Sequence, residues 1–202
     1  LREMPIRDIH DVEAMARLDA AARLQLDVSE KVADALVGEV LATGDGAASL
    51  ERGLASLSIQ AGQAFNNEKS ALEALEVRSK MTLTVDLPTG KSTRIPFHWP
   101  LEFPEVFLGV KNGFDAIVGN PPFLHGRRVS TVLGSLYLKW LCGFHSEVNG
   151  SADLAAYFSL RMFFLVKIAG AFGFIATKSI AEGDTRETSL DWILKKNGHI
   201  AY

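Results

Sequence analysis

The chemistry-bearing residues of this 202-residue chain cluster at Asn120-Pro121-Pro122-Phe123, directly after the apolar run Phe114–Gly119. Consecutive prolines cannot continue a strand ladder, and they hold the chain in an extended turn. Such a turn fixes the Asn120 side chain and the Pro121 carbonyl in space, both as hydrogen-bond acceptors. A side-chain amide oxygen beside a backbone carbonyl, with an aromatic ring just beyond, is well suited to holding the exocyclic amino group of a planar base. The two acceptors take the two N–H bonds, and Phe123 stacks on the ring. Acceptors out of the ring plane favour a pyramidal nitrogen, whose lone pair can attack an electrophilic methyl group. No strong base is needed beforehand, because the nitrogen becomes acidic once methylated and then sheds its proton. The plainer alternative is an ordinary Asn-Pro-Pro turn after a strand.

The elements that must position this turn follow from periodicity. Phe114–Gly119 reads as a short buried strand, and ligands bind at the C-terminal ends of strands in a doubly wound sheet. Helices are expected at about 130–143 and 152–169, the second with Leu154, Phe158, Met162 and Leu165 on one face. A second strand is expected over 171–177, then a helix over 185–196 closed by Asn197-Gly198, then a further strand at 199–202. Strand, helices, strand, helix, strand is the order of half of a mostly parallel α/β sheet.

Upstream, the pattern predicts helices at 12–24, 29–41 and 49–78, with a break at Thr43-Gly-Asp-Gly46. Between 81 and 96 the period changes. Leu83, Val85 and Leu87 alternate with Thr82, Thr84 and Asp86, and Pro88-Thr-Gly90 supplies a turn, so a β-hairpin is expected. Residues 97–107 run through prolines and read as an extended, aromatic-rich connector.

Composition divides the chain at the same place. Of 18 aromatic residues only Phe65 precedes residue 96, and residues 1–80 carry net charge −5 against +2 for 81–202. The overall charge of −3 makes no global case for nucleic acid, and the lone Cys142 excludes an internal disulfide framework or a cysteine-rich zinc site. Arg161 and Lys167 interrupt the longest apolar run, so no membrane span is expected. Arg2, Glu3, Arg7 and Asp8 open the chain with no apolar core behind them, so no signal peptide is expected. A start at Leu1 and a stop at Tyr202 within an apolar stretch suggest a piece of a longer protein.

Phe114-Asp-Ala-Ile-Val-Gly-Asn-Pro-Pro-Phe123 resembles the catalytic motif of the S-adenosylmethionine-dependent N6-adenine DNA methyltransferases, most closely large bacterial methylases of restriction-modification and phage-defence type. The aromatic-proline approach at 96–107 resembles the segment before that motif. Asp153-Leu-Ala-Ala-Tyr-Phe-Ser-Leu-Arg161 resembles the helix after it, and Gly173-Phe-Ile-Ala-Thr-Lys-Ser-Ile180 the next strand and loop, which helps line the target-base pocket. The resemblance implies a partial Rossmann-like methyltransferase sheet at 81–202, preceded by a helical insertion at 1–80. It implies double-stranded DNA as partner and a flipped-out adenine as methyl acceptor. Asn120 and Pro121 would hold the amino group, Phe123 would stack on the base, and Pro122 would shape the turn. S-adenosylmethionine would be the cofactor of the longer protein, working in the bacterial cytoplasm.

One departure matters. The family's glycine-rich cofactor loop and the acidic residue ending the next strand do not occur here; Gly44-Asp-Gly46 joins helices and follows no strand. No cofactor-binding residues are therefore assigned. The chain alone is expected to be inactive and to bind S-adenosylmethionine weakly or not at all. An N-terminal cofactor-binding half and a C-terminal target-recognition domain are expected elsewhere in the longer protein. Alternatives are a methyltransferase acting on RNA adenine or protein glutamine, and a non-catalytic scaffold.

Other residues carry two readings. His125, Arg127 and Arg128 are either a solvated loop or phosphate contacts beside the flipped base, and Lys178 shares both readings. Asp115 reads as a strand-start residue. Tyr157, Phe158, Met162, Phe163 and Phe164 read as core, and Cys142 as a small buried hydrophobe. His98, His145 and His199 lack metal-ligand spacing, so no metal site is expected. Asp184 or Thr185 is expected to cap the helix that follows.

Overall fold

A computed structural model describes residues 5–44, 46–109, 112–143 and 151–201. The sequence readings at Leu1, Arg2, Glu3, Asp45, His145 and Tyr202 lie outside the described residues. The described part is mixed α/β and mostly helical, with one small parallel sheet of two strands.

Helix α1 (Ile9–Thr43) runs unbroken through 25–28, where a gap between two helices was expected. No glycine or proline interrupts it there, and Lys31 pairs with Asp27 one turn back at 2.7 Å. Asp8 caps its start, accepting from the N–H groups of His10 and Asp11 at 2.8 and 3.1 Å. The expected single helix over 49–78 is instead two, α2 (Ala47–Phe65) and α3 (Lys69–Thr84). Asn66 and Asn67 reverse the chain, with Asn67 in the left-handed region at φ 63°. Ala35, Leu57, Ala64, Ala71 and Leu75 form the core of this three-helix unit. Gly38 allows the close crossing of α1 and α3: a Cβ there would lie 2.0 Å from Thr82 Oγ1.

The hairpin expected at 81–96 does not form. Met81–Thr84 is the last turn of α3, and no residue of 85–96 is in a strand. Ala71, Leu75, Ser79 and Leu83 are all buried, so the four-residue helical period prevailed over the local alternation of Leu83, Val85 and Leu87. Residue 80 thus lies inside α3. The segment acts as a clamp. Arg94 donates to the carbonyls of Leu83 (3.1 Å), Val85 (2.7 Å) and Leu133 (2.6 Å), and Asp86 Oδ2 accepts from Leu136 N–H at 2.6 Å. Two further ties hold α1 to the connector: Arg23 grips Glu102 with two bonds of 2.7 and 2.9 Å, and His98 Nε2 meets Asp34 Oδ1 at 2.7 Å. Hydrogen bonding to Glu102 holds the Arg23 guanidinium above its ordinary pKa.

The connector, expected to be extended, instead forms two single helical turns, α4 (Trp99–Glu102) and α5 (Pro104–Phe107), each with its proline in the first turn, where no N–H is needed. Trp99, Phe103 and Phe107 pack edge-on against Phe114, with ring centroids 5.3–5.5 Å away. This fixes the start of β1 (Phe114–Gly119). Then come α6 (Gly126–Leu133), α7 (Ser135–Gly143) and α8 (Leu154–Leu165), whose core is Val129, Leu141, Ala152, Leu154, Ala156 and Tyr157. Gly134, at φ 97°, divides the helix expected over 130–143.

Helix α8 passes directly into β2 (Val166–Phe174), so the helix expected to reach 169 stops at Leu165 and the strand begins five residues before 171. Val166 pairs with Phe114 and Gly119 with Phe174 in parallel register, and Lys167 pairs with Asp115. Extended pairing to β1 there outweighs one more helical turn. After β2 come a 3₁₀ turn (Lys178–Ala181), α9 (Gly183–Arg186), a π-helical turn (Glu187–Asp191) and α10 (Trp192–Lys195). Asn197 at φ 62° and a Gly198 N–H bond to Ile193 O (2.8 Å) close this run. Neither Asp184 nor Thr185 caps it, because both side chains are engaged elsewhere, with Ser151 and Asp153. Residues 199–201 are not in a strand.

Candidate active site

The site begins where β1 ends. Ile175 N–H donates to Gly119 O at 3.3 Å, so the chain leaving β2 runs beside the chain entering Asn120. Gly119 sits over Met162: a Cβ there would lie 2.8 Å from Met162 Cε. Pro121 is buried and anchors the turn, whereas Asn120 and Pro122 are exposed and Phe123 is 58% exposed. Leu124 N–H closes back on Pro122 O at 3.1 Å, bending the chain tightly around Phe123. Among the described residues neither the Asn120 side chain nor the Pro121 carbonyl has a hydrogen-bond partner. The exposed Asn120 side chain and Phe123 ring thus flank the unpaired carbonyl of the buried Pro121 at the C-terminal end of a parallel strand.

The segment that follows is held by the start of α8. Leu124 O accepts from Leu154 N–H at 2.9 Å, and Gly126 N–H donates to Asp153 Oδ1 at 3.0 Å. Gly126 is required by proximity: a Cβ there would lie 1.9 Å from Ser151 O. Arg127 and Arg128 are exposed on the first turn of α6, four and five residues past Phe123. His125 is exposed, with Nδ1 3.0 Å from Asp153 Oδ1. Lys178 is exposed on the 3₁₀ turn after β2 and lies 3.9 Å from Glu182 Oε1. The neighbouring Ser179 donates to Asp153 Oδ2 at 2.7 Å, which ties that turn to the Asn120 side of the site.

Asp153, Ser179 and Thr185 form a buried polar junction that residue patterns did not reveal. The one signal in the sequence is Asp153 standing one residue before α8, where it reads as an N-cap. Its carboxylate instead reaches Gly126, 27 residues earlier in the chain.

Asp115 lies at the far end of β1, paired with Lys167, away from Asn120. Tyr157 and Met162 are buried as expected, while Phe158 is 39% and Phe164 47% exposed. Phe164 still packs against Phe163 and Trp192, at 6.0 and 5.5 Å. Cys142 is half-buried, with Sγ 3.8 Å from Tyr157 Oη, and burial raises the Tyr157 phenol pKa. On the opposite flank a cavity of about 730 Å³ opens between α8 and the helical region, with Trp99, Tyr137, Trp140, Phe158 and Arg161 in its wall. Burial lowers the pKa of the Arg161 guanidinium.

Among the described residues no cluster of three His, Cys, Asp or Glu side chains could hold a metal ion, and no helix is long and apolar enough to cross a membrane. The loop after β1 is not a cofactor cradle. Its two prolines have no N–H to offer a phosphate or carboxylate, and no glycine-rich turn joins a strand to a helix here.

No match was found among curated proteins or among solved structures. The family model described as Eco57I restriction-modification methylase matches residues 14–201, and the chain belongs to that family.

Proposed function

We propose that the chain is the catalytic-motif part of a DNA adenine N6-methyltransferase that uses S-adenosylmethionine. The observation that carries this reading is the exposed Asn120 side chain and the exposed Phe123 on either side of the unpaired Pro121 carbonyl. Adenine swings out of the duplex, its N6 amino group donates to both acceptors, and its ring stacks on Phe123. The bonds hold the nitrogen lone pair out of conjugation and aim it at the methyl group. S-adenosylmethionine, held by other segments of the longer protein, would supply that methyl group as an electrophile, its S–CH3 bond breaking to release the thioether S-adenosylhomocysteine. After transfer the amino nitrogen loses a proton. Arg127, Arg128 and Lys178 supply positive charge for the DNA backbone.

The chain works within a longer bacterial protein in the cytoplasm, in which other segments bind the cofactor, recognise the DNA sequence and complete a Rossmann-like sheet. Support comes from the sheet itself. A parallel pair is stable when both faces are covered, yet Val118 is 90% and Ile168 99% exposed. The helices α1 to α3, ending at Thr84, are a helical insertion ahead of the catalytic region.

The test is methyl transfer by the full-length protein from labelled S-adenosylmethionine to DNA, with sequencing for N6-methyladenine. Asn120→Ala removes one of two preorganised acceptors and is expected to lower kcat by about 10²–10³-fold. Phe123→Ala is expected to weaken DNA-substrate use by roughly 5–150-fold, the range of one base–aromatic stack, while Phe123→Trp retains activity. An Asn120→Ala protein with unchanged kcat would remove the site assignment.

A further inference from the structure

We infer that Asp153 is a positioning residue of the methyl-transfer site, an assignment that rests on the function proposed above. The site is built from two separate loops, the Asn120 turn after β1 and the 175–181 segment after β2. One buried carboxylate joins them. Asp153 Oδ1 accepts from Gly126 N–H at 3.0 Å, three residues past Phe123, and Oδ2 accepts from the Ser179 hydroxyl at 2.7 Å. Its own N–H donates to Thr185 Oγ1 at 3.1 Å, which anchors the junction to α9. His125 Nδ1 lies 3.0 Å from the same Oδ1 and pairs with the carboxylate when protonated.

The placement has a cost that points to this role. Asp153 is 8% exposed and stands at the N-cap position of α8, yet its side chain makes no bond to that helix. An Asp at this position ordinarily satisfies its own helix. Here both carboxylate oxygens are committed between the two loops instead. With Leu124 O bonded to Leu154 N–H as well, the Asn120 turn cannot shift without breaking bonds to the α8 start. Asp153 therefore sets how the Asn120 turn stands relative to the segment after β2. Misplacement of a reacting group by about 1 Å costs on the order of 10²-fold in rate.

Asparagine can preserve both ties between the loops, losing only the charge pairing with His125. Its Oδ1 accepts from Gly126, and its amide donates to Ser179 Oγ, which in turn can donate to Thr177 Oγ1 at 2.6 Å. Alanine preserves none of the side-chain ties. The experiment compares kcat and KM for DNA in the full-length wild type, Asp153→Ala, Asp153→Asn, Ser179→Ala and Asn120→Ala. Asp153→Ala is expected to lose about 100-fold in kcat, with Asp153→Asn within about threefold of wild type and KM for DNA moved less than about threefold in both. Ser179→Ala severs one tie and is expected to lose about tenfold in kcat; it decides alone if Asp153→Ala does not fold. Wild-type kcat in Asp153→Ala and Ser179→Ala, or no recovery in Asp153→Asn, overturns the assignment. If wild type methylates adenine and Asn120→Ala does not, such a result overturns Asp153 alone. If wild type transfers no methyl group to adenine, the proposed function falls and this assignment with it.

Discussion

Arg78 Nε donates to Glu39 Oε1 at 2.6 Å, a salt bridge between α3 and α1 in which both side chains are largely buried. The same guanidinium donates to Gly53 O at 2.9 Å and to Gln60 Oε1 at 2.7 Å, so one cation binds all three helices of the N-terminal unit. The Ala-rich core beneath it holds no aromatic residue, so the polar tie supplies orientation that packing alone leaves loose. Removing Arg78 strands the Glu39 carboxylate in a poorly hydrated site, whereas removing Glu39 leaves the guanidinium its bonds to Gly53 and Gln60. Arg78→Ala is expected to cost ~3–5 kcal/mol of unfolding free energy, measured by urea denaturation, and Glu39→Ala less. A shift well under 1 kcal/mol in both would show that water already reaches the pair.

Gly126→Ala places a methyl group against the Ser151 carbonyl at 1.9 Å and the Ala152 carbonyl at 2.6 Å. Both obstacles are backbone, so neither can rotate away, and the start of α6 must separate from the start of α8. The expected destabilisation is about 1–3 kcal/mol or more, read as a lowered thermal midpoint. Methyl transfer by the full-length protein should fall further than stability does, because the displaced segment carries Asn120 and Phe123. Gly62→Ala, at an exposed position of α2 where nothing lies within 4 Å, is the steric control: it should raise stability by about 0.5–1 kcal/mol through helix propensity and leave methyl transfer unchanged.

Arg127 and Arg128 are exposed within one helical turn of the open motif. If they contact DNA phosphates, each contributes about 0.9 to the slope of log affinity against log salt. Arg127→Ala/Arg128→Ala in the full-length protein should therefore weaken DNA binding at low salt and flatten that slope by up to about 1.8. The loss should be similar for target and non-target DNA, since phosphate contacts carry no sequence. An unchanged slope would return both residues to an ordinary solvated surface.

Burial raises the pKa of Tyr137 and of Tyr157, so both phenols stay protonated in the folded chain after unfolded tyrosines have ionised. More protons are then bound folded than unfolded, and stability falls as pH rises. The contribution is fully present below the unfolded value of about 10 and is lost above it. Urea midpoints should hold steady up to about pH 10 and decline beyond, with late phenolate absorbance marking these two residues. A midpoint that stays level through the phenolate transition would show that neither ring is shielded.

Local chemistry was legible in the sequence wherever it depends on neighbours along the chain. The run Phe114–Gly119 followed by Asn-Pro-Pro-Phe dictates a strand that stops at a turn, because proline geometry needs no distant partner. The helical character of the first 80 residues and the Asn197-Gly198 stop are local in the same sense, whereas the helix boundaries and the turns of the aromatic connector were not. Period alone misled at 81–96, where Leu83 satisfies both an alternating and a helical pattern, and only burial against α1 chooses between them. The joint between α8 and β2 was equally hidden: Val166 becomes strand because Phe114, 52 residues earlier, pairs with it. Tertiary structure alone decided the destination of the Asp153 carboxylate and the Arg94 guanidinium. Each reaches backbone groups far away in the chain, and no spacing rule records a bond whose partners meet only after the helices have packed.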